Sequence, residues 1–481
     1  MTTPWYEAMT AADRSFLVFE GRDTHMHVGG TTVFEGGSLV RADGGVDIER
    51  VRAYVESRLP RIPRYRQRLA WVPFERLPVW VDDDRFSIRY HVRHAALPRP
   101  GGVRELKRLV GQIMSQQLDR RRPLWELWVV EGLEEQRFGL VLKTHHCVVD
   151  GISGVDLMSV LLRTDPDETF EAPEPWRPRP APSSLELLGD AVERQAGKLA
   201  RVLRETANLL RDAQAARQRV VDSASHLWEF LRAGLRLPDP TPINGPIGPF
   251  RRCDWTSLDL AEVKQVKNRL GCTVNDVILA TVAGAMRRYF LRHGADVASL
   301  DFRVVVPVNM RTPEEAGMLG NRVSAWLCSL PLGEPSPLRR ARRIAATTAR
   351  LKATRQADGV EALARIAEVF DPIVTLGVRL ASALHPYNLI VSNVPGPQFP
   401  LYLLGSRLLE GYPFVPLFEQ QALGIATFSY DGRLFWGLDA CWDAIVDLHD
   451  IVGDLEQAFQ ELRVAARGRE RRARARLRAA S

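Results

Sequence analysis

Residues 138–151 restrict the fold more than any other stretch. Phe138-Gly-Leu-Val-Leu-Lys-Thr144 is an apolar run of strand length, and it meets His145-His146-Cys147-Val148-Val149-Asp150-Gly151. Such a run predicts a buried strand, and the glycine places the histidines at its end or in the loop beyond it. Loops held by a rigid sheet are where catalytic groups concentrate. Successive side chains on a strand alternate faces, so one histidine can face a cleft while the other packs or hydrogen-bonds. An imidazole near its ordinary pKa of about 6.5 can accept a proton at neutral pH. Asp150 is close enough in sequence to fix the loop or the imidazole tautomer.

A chain of 481 residues, 45% apolar, predicts two or three globular domains. The five cysteines (Cys147, Cys253, Cys272, Cys328, Cys441) show no CxxC spacing. That suits a reducing cytosol and points away from a disulfide framework or zinc ribbon. The N-terminus lacks a basic region followed by an apolar core, so no secretory signal is expected. No apolar run reaches membrane-spanning length. Of the net charge of +7, seven arginines and Glu470 between Arg467 and Arg478 supply +6, leaving about +1 for the rest. The body is therefore not a general polyanion binder, and no nucleic-acid role is expected.

In chain order, the pattern predicts a helical turn capped near Thr10 and a strand over 28–34. His25 and His27 have ligand-like spacing, but no cysteine or carboxylate cluster joins them, so packing is the plainer reading and no metal is expected. A helix is expected over 47–59, strands over 78–82 and 86–92, and a helix over 102–118. Pro123-Leu124-Trp125-Glu126 leads into a hairpin that turns at 134–137 and returns over 138–144. A helix over 154–164 ends the first domain. A proline-rich segment, 173–182, is expected to be extended, and 184–236 is strongly helical. The second domain starts at Phe250, with helices over 258–270 and 274–293, the latter opened by Asn275-Asp276. Asn and Asp favour helix starts, and Asn275 could also donate to developing negative charge. Strands over 302–310 and 321–330, helices over 337–355 and 360–384, and the strand Asn388-Leu-Ile-Val-Ser392-Asn393-Val-Pro-Gly-Pro follow. A hairpin turns at Asp431-Gly432, and a helix over 445–464 closes the fold before the arginine tail.

No GxGxxG, GxxxxGKS or GxSxG occurs, so dinucleotide, P-loop and serine-hydrolase chemistry lack support. Cys147 beside His146 raises a thiol nucleophile as an alternative. The motifs quoted above resemble, in order and over nearly the whole chain, those of the bacterial wax ester synthase/diacylglycerol acyltransferase family. These are the acidic residue at Glu20 with the Met-His-Val-Gly run, Pro-Leu-Trp, His-His-x-x-x-Asp-Gly, Asn-Asp, and Ser-Asn-Val-Pro-Gly-Pro.

The resemblance implies an α/β fold of two chloramphenicol acetyltransferase-like domains, each a mixed sheet flanked by helices, joined by a helical linker. The ranges are 1–165, 166–249 for the linker, 250–465, and 466–481 for a basic tail. It implies an O-acyltransferase moving a long-chain acyl group from acyl-CoA to diacylglycerol or a fatty alcohol, in a tunnel between the domains. His146 would be the base, His145 a support, Asp150 an organiser and Asn275 an oxyanion donor. Gly151, Pro123, Leu124, Trp125, Asp276, Ser392 and Asn393 would line the substrate site. No cofactor is implied beyond acyl-CoA as substrate. The protein would be cytoplasmic and touch the inner face of the membrane or lipid inclusions peripherally. The alternatives are another CoA-dependent acyltransferase, a condensation-type enzyme and a non-catalytic lipid-inclusion protein.

Overall fold

The computed structural model describes residues 6–73, 77–148, 160–167, 169–173, 175–190, 192–193, 197, 238–309, 323–353 and 386–480. Asp150, Gly151 and the helix expected at 360–384 lie outside these residues, as do most of the helices expected at 154–164 and 184–236.

The first half begins with β1 (Glu7–Ala8) and α1 (Ala11–Phe19), whose cap Thr10 accepts the Asp13 amide as expected. Then come β2 (His27–Glu35), α2 (Ile48–Arg58), β3 (Gln67–Trp71), β4 (Pro78–Asp82), the single turn α3 (Ile88–His91), β5 (Val92–Ala96), α4 (Val103–Ser115), β6 (Trp125–Leu133) and β7 (Arg137–His145). The second half holds β8 (Arg251–Asp259), α5 (Leu260–Leu270), α6 (Val274–Arg292), β9 (Phe302–Asn309), β10 (Val323–Leu330), α7 (Pro337–Ala353), β11 (Leu389–Pro395), β12 (Tyr402–Leu403), β13 (Ser406–Phe414), β14 (Leu423–Tyr430), β15 (Arg433–Cys441) and α8 (Leu448–Ala480).

Two six-stranded sheets carry the structure, in the orders β12-β13-β2-β7-β6-β5 and β10-β9-β11-β14-β15-β8, with a small sheet β1-β4-β3 beside them. Each large sheet mixes parallel and antiparallel pairs, and helices cover them, so the α/β class holds. The division at residue 250 does not follow the sheets, however. β12 and β13 fall inside 250–465 yet extend the first sheet, with Gly30 opposite Pro413 and Gly29 opposite Phe414. Sequence periodicity missed them because 402–414 contains Gly405, Gly411 and Pro413 and lacks clean alternation.

The glycine pair of β2 explains how three chain segments come together here. A Cβ on Gly29 would lie 2.3 Å from the Leu142 carbonyl oxygen of β7, so any side chain would force the strands apart. The two sheets then meet where a Cβ on Gly437 of β15 would fall 1.9 Å from the Pro413 oxygen of β13.

Two other expectations change. Residues 88–91 make a helical turn rather than a strand, which seats the buried His91 between Phe86 and Trp125 at ring separations of 5.1 and 4.7 Å. The arginine tail at 466–481 is not separate from the last helix, since α8 runs unbroken for 33 residues to Ala480. Its early part is core: Leu455, Phe459, Leu462 and Ala466 pack with α6, which is buried on nearly every side between the sheet, α7 and α8. A helix apolar all round belongs in such an interior.

α4 and β8 hold the halves together. The Ser115 hydroxyl accepts the Arg251 amide at 2.8 Å, and Lys107 pairs with Asp254. The Arg251 guanidinium donates to the carbonyls of Asp23 and Gly248, both at 2.6 Å. Because Asp23 lies in the loop between α1 and β2, the second half fixes a loop of the first.

Candidate active site at the end of the central strand

β7 lies between β2 and β6, with His145 opposite His27 and Glu126 opposite Lys143. The strand delivers His145 as its last residue, and the chain then turns through His146, Cys147 and Val148. The His145 amide donates to the Leu124 carbonyl at 2.9 Å and the His146 amide to the Met26 carbonyl at 2.7 Å. The turn is thus pinned from both sides.

His145 is fully buried. Its Nδ1 accepts the Cys147 amide at 3.1 Å, with the Cys147 sulfur 2.9 Å from the same nitrogen. A backbone amide only donates, so Nδ1 carries no hydrogen and the neutral ring holds its proton on Nε2. Nε2 faces a Glu20 oxygen at 3.5 Å, long for a hydrogen bond but close for an ion–dipole contact. Glu20 is itself buried, accepts from Arg120 Nε at 2.6 Å, and lies 4.0 Å from His27 Nε2. Burial pushes the Glu20 carboxyl up, but His145 and Arg120 outweigh it and hold the group below the ordinary carboxylate range. The Glu20 carboxylate, held by Arg120 and His145, thus fixes a ring rather than acting as a free acid.

His146 is different. Its ring stacks on Phe16 of α1, centroids 3.8 Å apart and planes 15° off parallel. The side chain keeps partial exposure, yet Nδ1 is sequestered without a hydrogen-bond partner among the described residues. Burial, with the neighbouring His145 adding to it, lowers its pKa to about 4. The ring is therefore neutral across the physiological range, in the form that can take a proton. Cys147 is no rival nucleophile: burial first, and then Asp13 and Glu20, push its thiol well above the ordinary range, so thiolate is scarce.

Under the site lies a second buried pair. Lys143 Nζ donates to the carbonyls of Ile113 and Gln116 at 3.0 and 2.9 Å and meets Glu126 at 3.1 Å. A cation over the last carbonyls of α4 complements the helix dipole. All three hydrogens are used, so this lysine is structural. Its signal was in the sequence, as Lys143 interrupting the apolar run 138–144 and Glu126 opening the facing arm. Glu20 and Arg120, by contrast, are 100 residues apart, and no local pattern links them. Phe16 read only as one apolar residue of a helical turn.

The remaining expected residues divide. Trp125 does not wall the site. Its indole N–H donates to the Tyr65 carbonyl at 2.8 Å and its ring stacks on His91, so it belongs to the core of the first half. Pro123 and Leu124 are also buried, and Leu124 reaches the site through its backbone alone. Asp276 is a capping residue: it accepts the Thr273 amide at 2.8 Å and the Thr348 hydroxyl at 2.6 Å, which employs both of its oxygens. That corrects its assignment to substrate. Asn275, half-buried in the first turn of α6, has no side-chain partner among the described residues. Asn393 accepts the Thr427 hydroxyl at 3.0 Å, and the Ser392 carbonyl shares that hydroxyl at 3.3 Å. No hydrogen bond, ion pair or ring contact among the described residues joins Asn275, Ser392 or Asn393 to the histidines. His25 and His27 sit with rings 5.4 Å apart, and no group of three or more potential metal ligands forms among the described residues. Burial is the main cause lowering both rings, with His27 well below the usual histidine range.

Comparison with known proteins accords with this geometry. The profile described as wax ester synthase/diacylglycerol acyltransferase catalytic domain matches residues 9–278, and the companion C-terminal domain matches 319–463. Two Mycobacterium tuberculosis proteins named diacylglycerol O-acyltransferases are similar. One is 36% identical over 433 residues (87% of this chain, 83% of that protein). The other is 34% identical over 474 residues (95% and 99%). Among solved structures, a wax ester synthase/diacylglycerol acyltransferase from Marinobacter aquaeolei superposes with a TM-score of 0.70 at 25% identity, covering 96% of this chain and 99% of that one. A condensation domain of the calcium-dependent antibiotic synthetase superposes at 0.60 with 16% identity over 97% of each, a likeness of fold alone.

Proposed function

The chain belongs to the wax ester synthase/diacylglycerol acyltransferase family, and from that premise we propose how its described residues carry out acyl transfer. The enzyme moves a long-chain acyl group from acyl-CoA to the hydroxyl of diacylglycerol or a long-chain alcohol, giving triacylglycerol or wax ester. The carrying observation is the neutral, partly exposed His146 ring, clamped by Phe16 at the end of β7.

With Nδ1 sequestered, Nε2 is the nitrogen left to meet substrate. Nε2 takes the acceptor's hydroxyl proton as the oxygen attacks the thioester carbonyl. A base this weak cannot form alkoxide in advance, so proton transfer accompanies C–O bond formation. The tetrahedral oxyanion is met by the Asn275 amide and nearby backbone N–H groups. Collapse breaks the C–S bond, and the proton on Nε2 passes to the departing thiolate of coenzyme A. Asp150 is assigned to holding the loop, and Gly151, Ser392 and Asn393 to shaping the substrate path. The proposal includes no metal and no redox cofactor.

Among the described residues no helix is long and apolar enough to cross a membrane. Contact with lipid is therefore proposed to be peripheral, with the basic end of α8 drawn to anionic lipid at about 1 kcal/mol per arginine near the surface.

The test is release of free coenzyme A from palmitoyl-CoA with dioleoylglycerol, with hexadecanol, or with no acceptor. Acceptor-dependent release with ester formation is expected. Release without acceptor would indicate a thioesterase, and no release with either acceptor would defeat the reading.

A further inference from the structure

Beside the loop that carries Glu20 and His25 lies a group of exposed apolar side chains that the reaction does not use. Phe250, Trp442 and Val446 are 58%, 48% and 67% exposed. They form one patch at the start of β8 and the end of β15. The Trp442 amide donates to the Phe250 carbonyl at 2.9 Å. The Arg252 guanidinium sits 4.0 Å above the Trp442 ring and donates to the Val446 carbonyl. Large aromatic and aliphatic residues left in water together mark an interaction surface. A tryptophan and a phenylalanine with an arginine on the aromatic face have the composition of an interfacial anchor.

The patch lies at the site end of the molecule. Arg251, between Phe250 and Arg252, donates to the Asp23 carbonyl, three residues from Glu20. Its own amide is held by Ser115 at the end of α4, whose last carbonyls receive Lys143, two residues before His145. A short chain of direct contacts therefore runs from the patch to the histidine turn.

We infer that Phe250, Trp442 and Val446 form a docking surface for neutral lipid, which seats the enzyme on a droplet or inclusion with its site end against the lipid. The inference rests on the reading above, in which the acceptor is insoluble and must arrive from a lipid phase. Charge selects the kind of surface. Asp443 and Asp450 are exposed beside the patch, and their carboxylates would be repelled by anionic lipid. The charge of Arg252, held between the Trp442 ring and the Val446 carbonyl, offsets only one of these carboxylates, so the patch has no positive excess to attract anionic lipid. An uncharged surface fits. The arginines of α8 are not part of this surface. Helix α8 starts next to the patch at Leu448, so its arginines at 467–478 are about 30–45 Å along the helix at 1.5 Å per residue.

The experiment is flotation of the full chain with triolein droplets coated with phosphatidylcholine, without acyl-CoA. Each apolar side chain lost from the interface should weaken binding about tenfold or more. The double variant Phe250→Ser/Trp442→Ser and the single variant Val446→Asp should both lose droplet binding, while a chain ending at Arg469 keeps it. The apparent KM for droplet-borne dioleoylglycerol should rise in both variants, with turnover on dissolved 1-hexanol unchanged. Wild-type flotation by both variants would overturn the inference. So would equal losses on droplet-borne and dissolved acceptor, which would place the residues in the fold or the site. Flotation needs no turnover, so a chain that docked through the patch yet transferred no acyl group would defeat the functional reading alone.

Discussion

His146 lies flat against Phe16, ring centroids 3.8 Å apart, so a residue from the first helix sets the plane of the imidazole delivered by the central strand. The contact holds the ring in an apolar setting that keeps it neutral and aims it without a carboxylate partner of its own among the described residues. The carboxylate, Glu20, is spent on His145 instead. In the proposed mechanism the two adjacent histidines therefore have separate tasks, one structural and one chemical.

His146→Ala is expected to cut acyl transfer by about 10²–10⁴ through loss of the general base, with the fold retained because the ring is only partly buried. Steady-state turnover alongside circular dichroism checks this. Near-normal turnover by a folded variant would remove His146 from the mechanism.

The pH dependence follows from the same ring. A base with a folded value of about 4 stays unprotonated well below the usual histidine range. The acid limb of kcat/KM is thus expected near pH 4 rather than about 6.5. A limb near 6.5 would assign the proton to another group.

Stability should respond earlier than activity. His91 and His146 are both lowered to about 4 by burial, and burial likewise holds His27 well below the usual histidine range. Unfolded, each would bind a proton below about 6.5, so the unfolded state holds more protons between the two values. Stability rises with pH there and is lost as pH falls from about 6.5 toward 4, at about 1.4 kcal/mol per pH unit for each ring. Urea midpoints measured at pH 7, 5.5 and 4.5 test it, and a flat series would contradict it.

Glu20→Ala removes the counter-charge of Arg120 and leaves His145 and His27 without their acidic neighbour. Because the Arg120 side chain is 38% exposed and stays partly solvated, a loss of about 1–3 kcal/mol is expected. Glu20→Gln keeps the shape and should fold better while still displacing His145. Thermal melts of the two variants, read with turnover, separate the charge from the packing. An unchanged melting temperature in Glu20→Ala would show that the cluster is not an anchor.

Adjacent residues of α6 should behave oppositely. Asp276→Ala takes away a capping box and the partner of the Thr348 hydroxyl, costing about 1–2 kcal/mol of stability. Asn275→Ala should leave stability alone and lower turnover by about 10²–10³ with little change in KM, as for a lost oxyanion donor. A change confined to KM would assign Asn275 to substrate contact.

Much of the order of elements was legible in local pattern, although that pattern gave no strand at β1, β3, β8, β12 or β13. The apolar run 138–144, the turn at 134–137, the Asp431-Gly432 hairpin and the cap at Thr10 all appear as read, because periodicity and turn chemistry act over a few residues. The paired histidines marked the candidate site, and alternation along a strand implied that one could face a cleft while the other packed. What tertiary structure decided is the surroundings of each ring, with His145 buried against Glu20 and Cys147 and His146 partly exposed and stacked on Phe16. Phe16 against His146, Glu20 and Arg120 around His145, and Thr348 on Asp276 are contacts between residues 72 to 130 positions apart or joined across elements, and no local spacing encodes them. The same holds for β13. Its glycine and proline gave no strand signal, and only pairing with β2, nearly 400 residues earlier, turned 406–414 into part of the first sheet. Local sequence sets what a segment prefers. Burial, and the partners that burial demands for every charge and backbone group, settle where it goes and which of its side chains stay free to react.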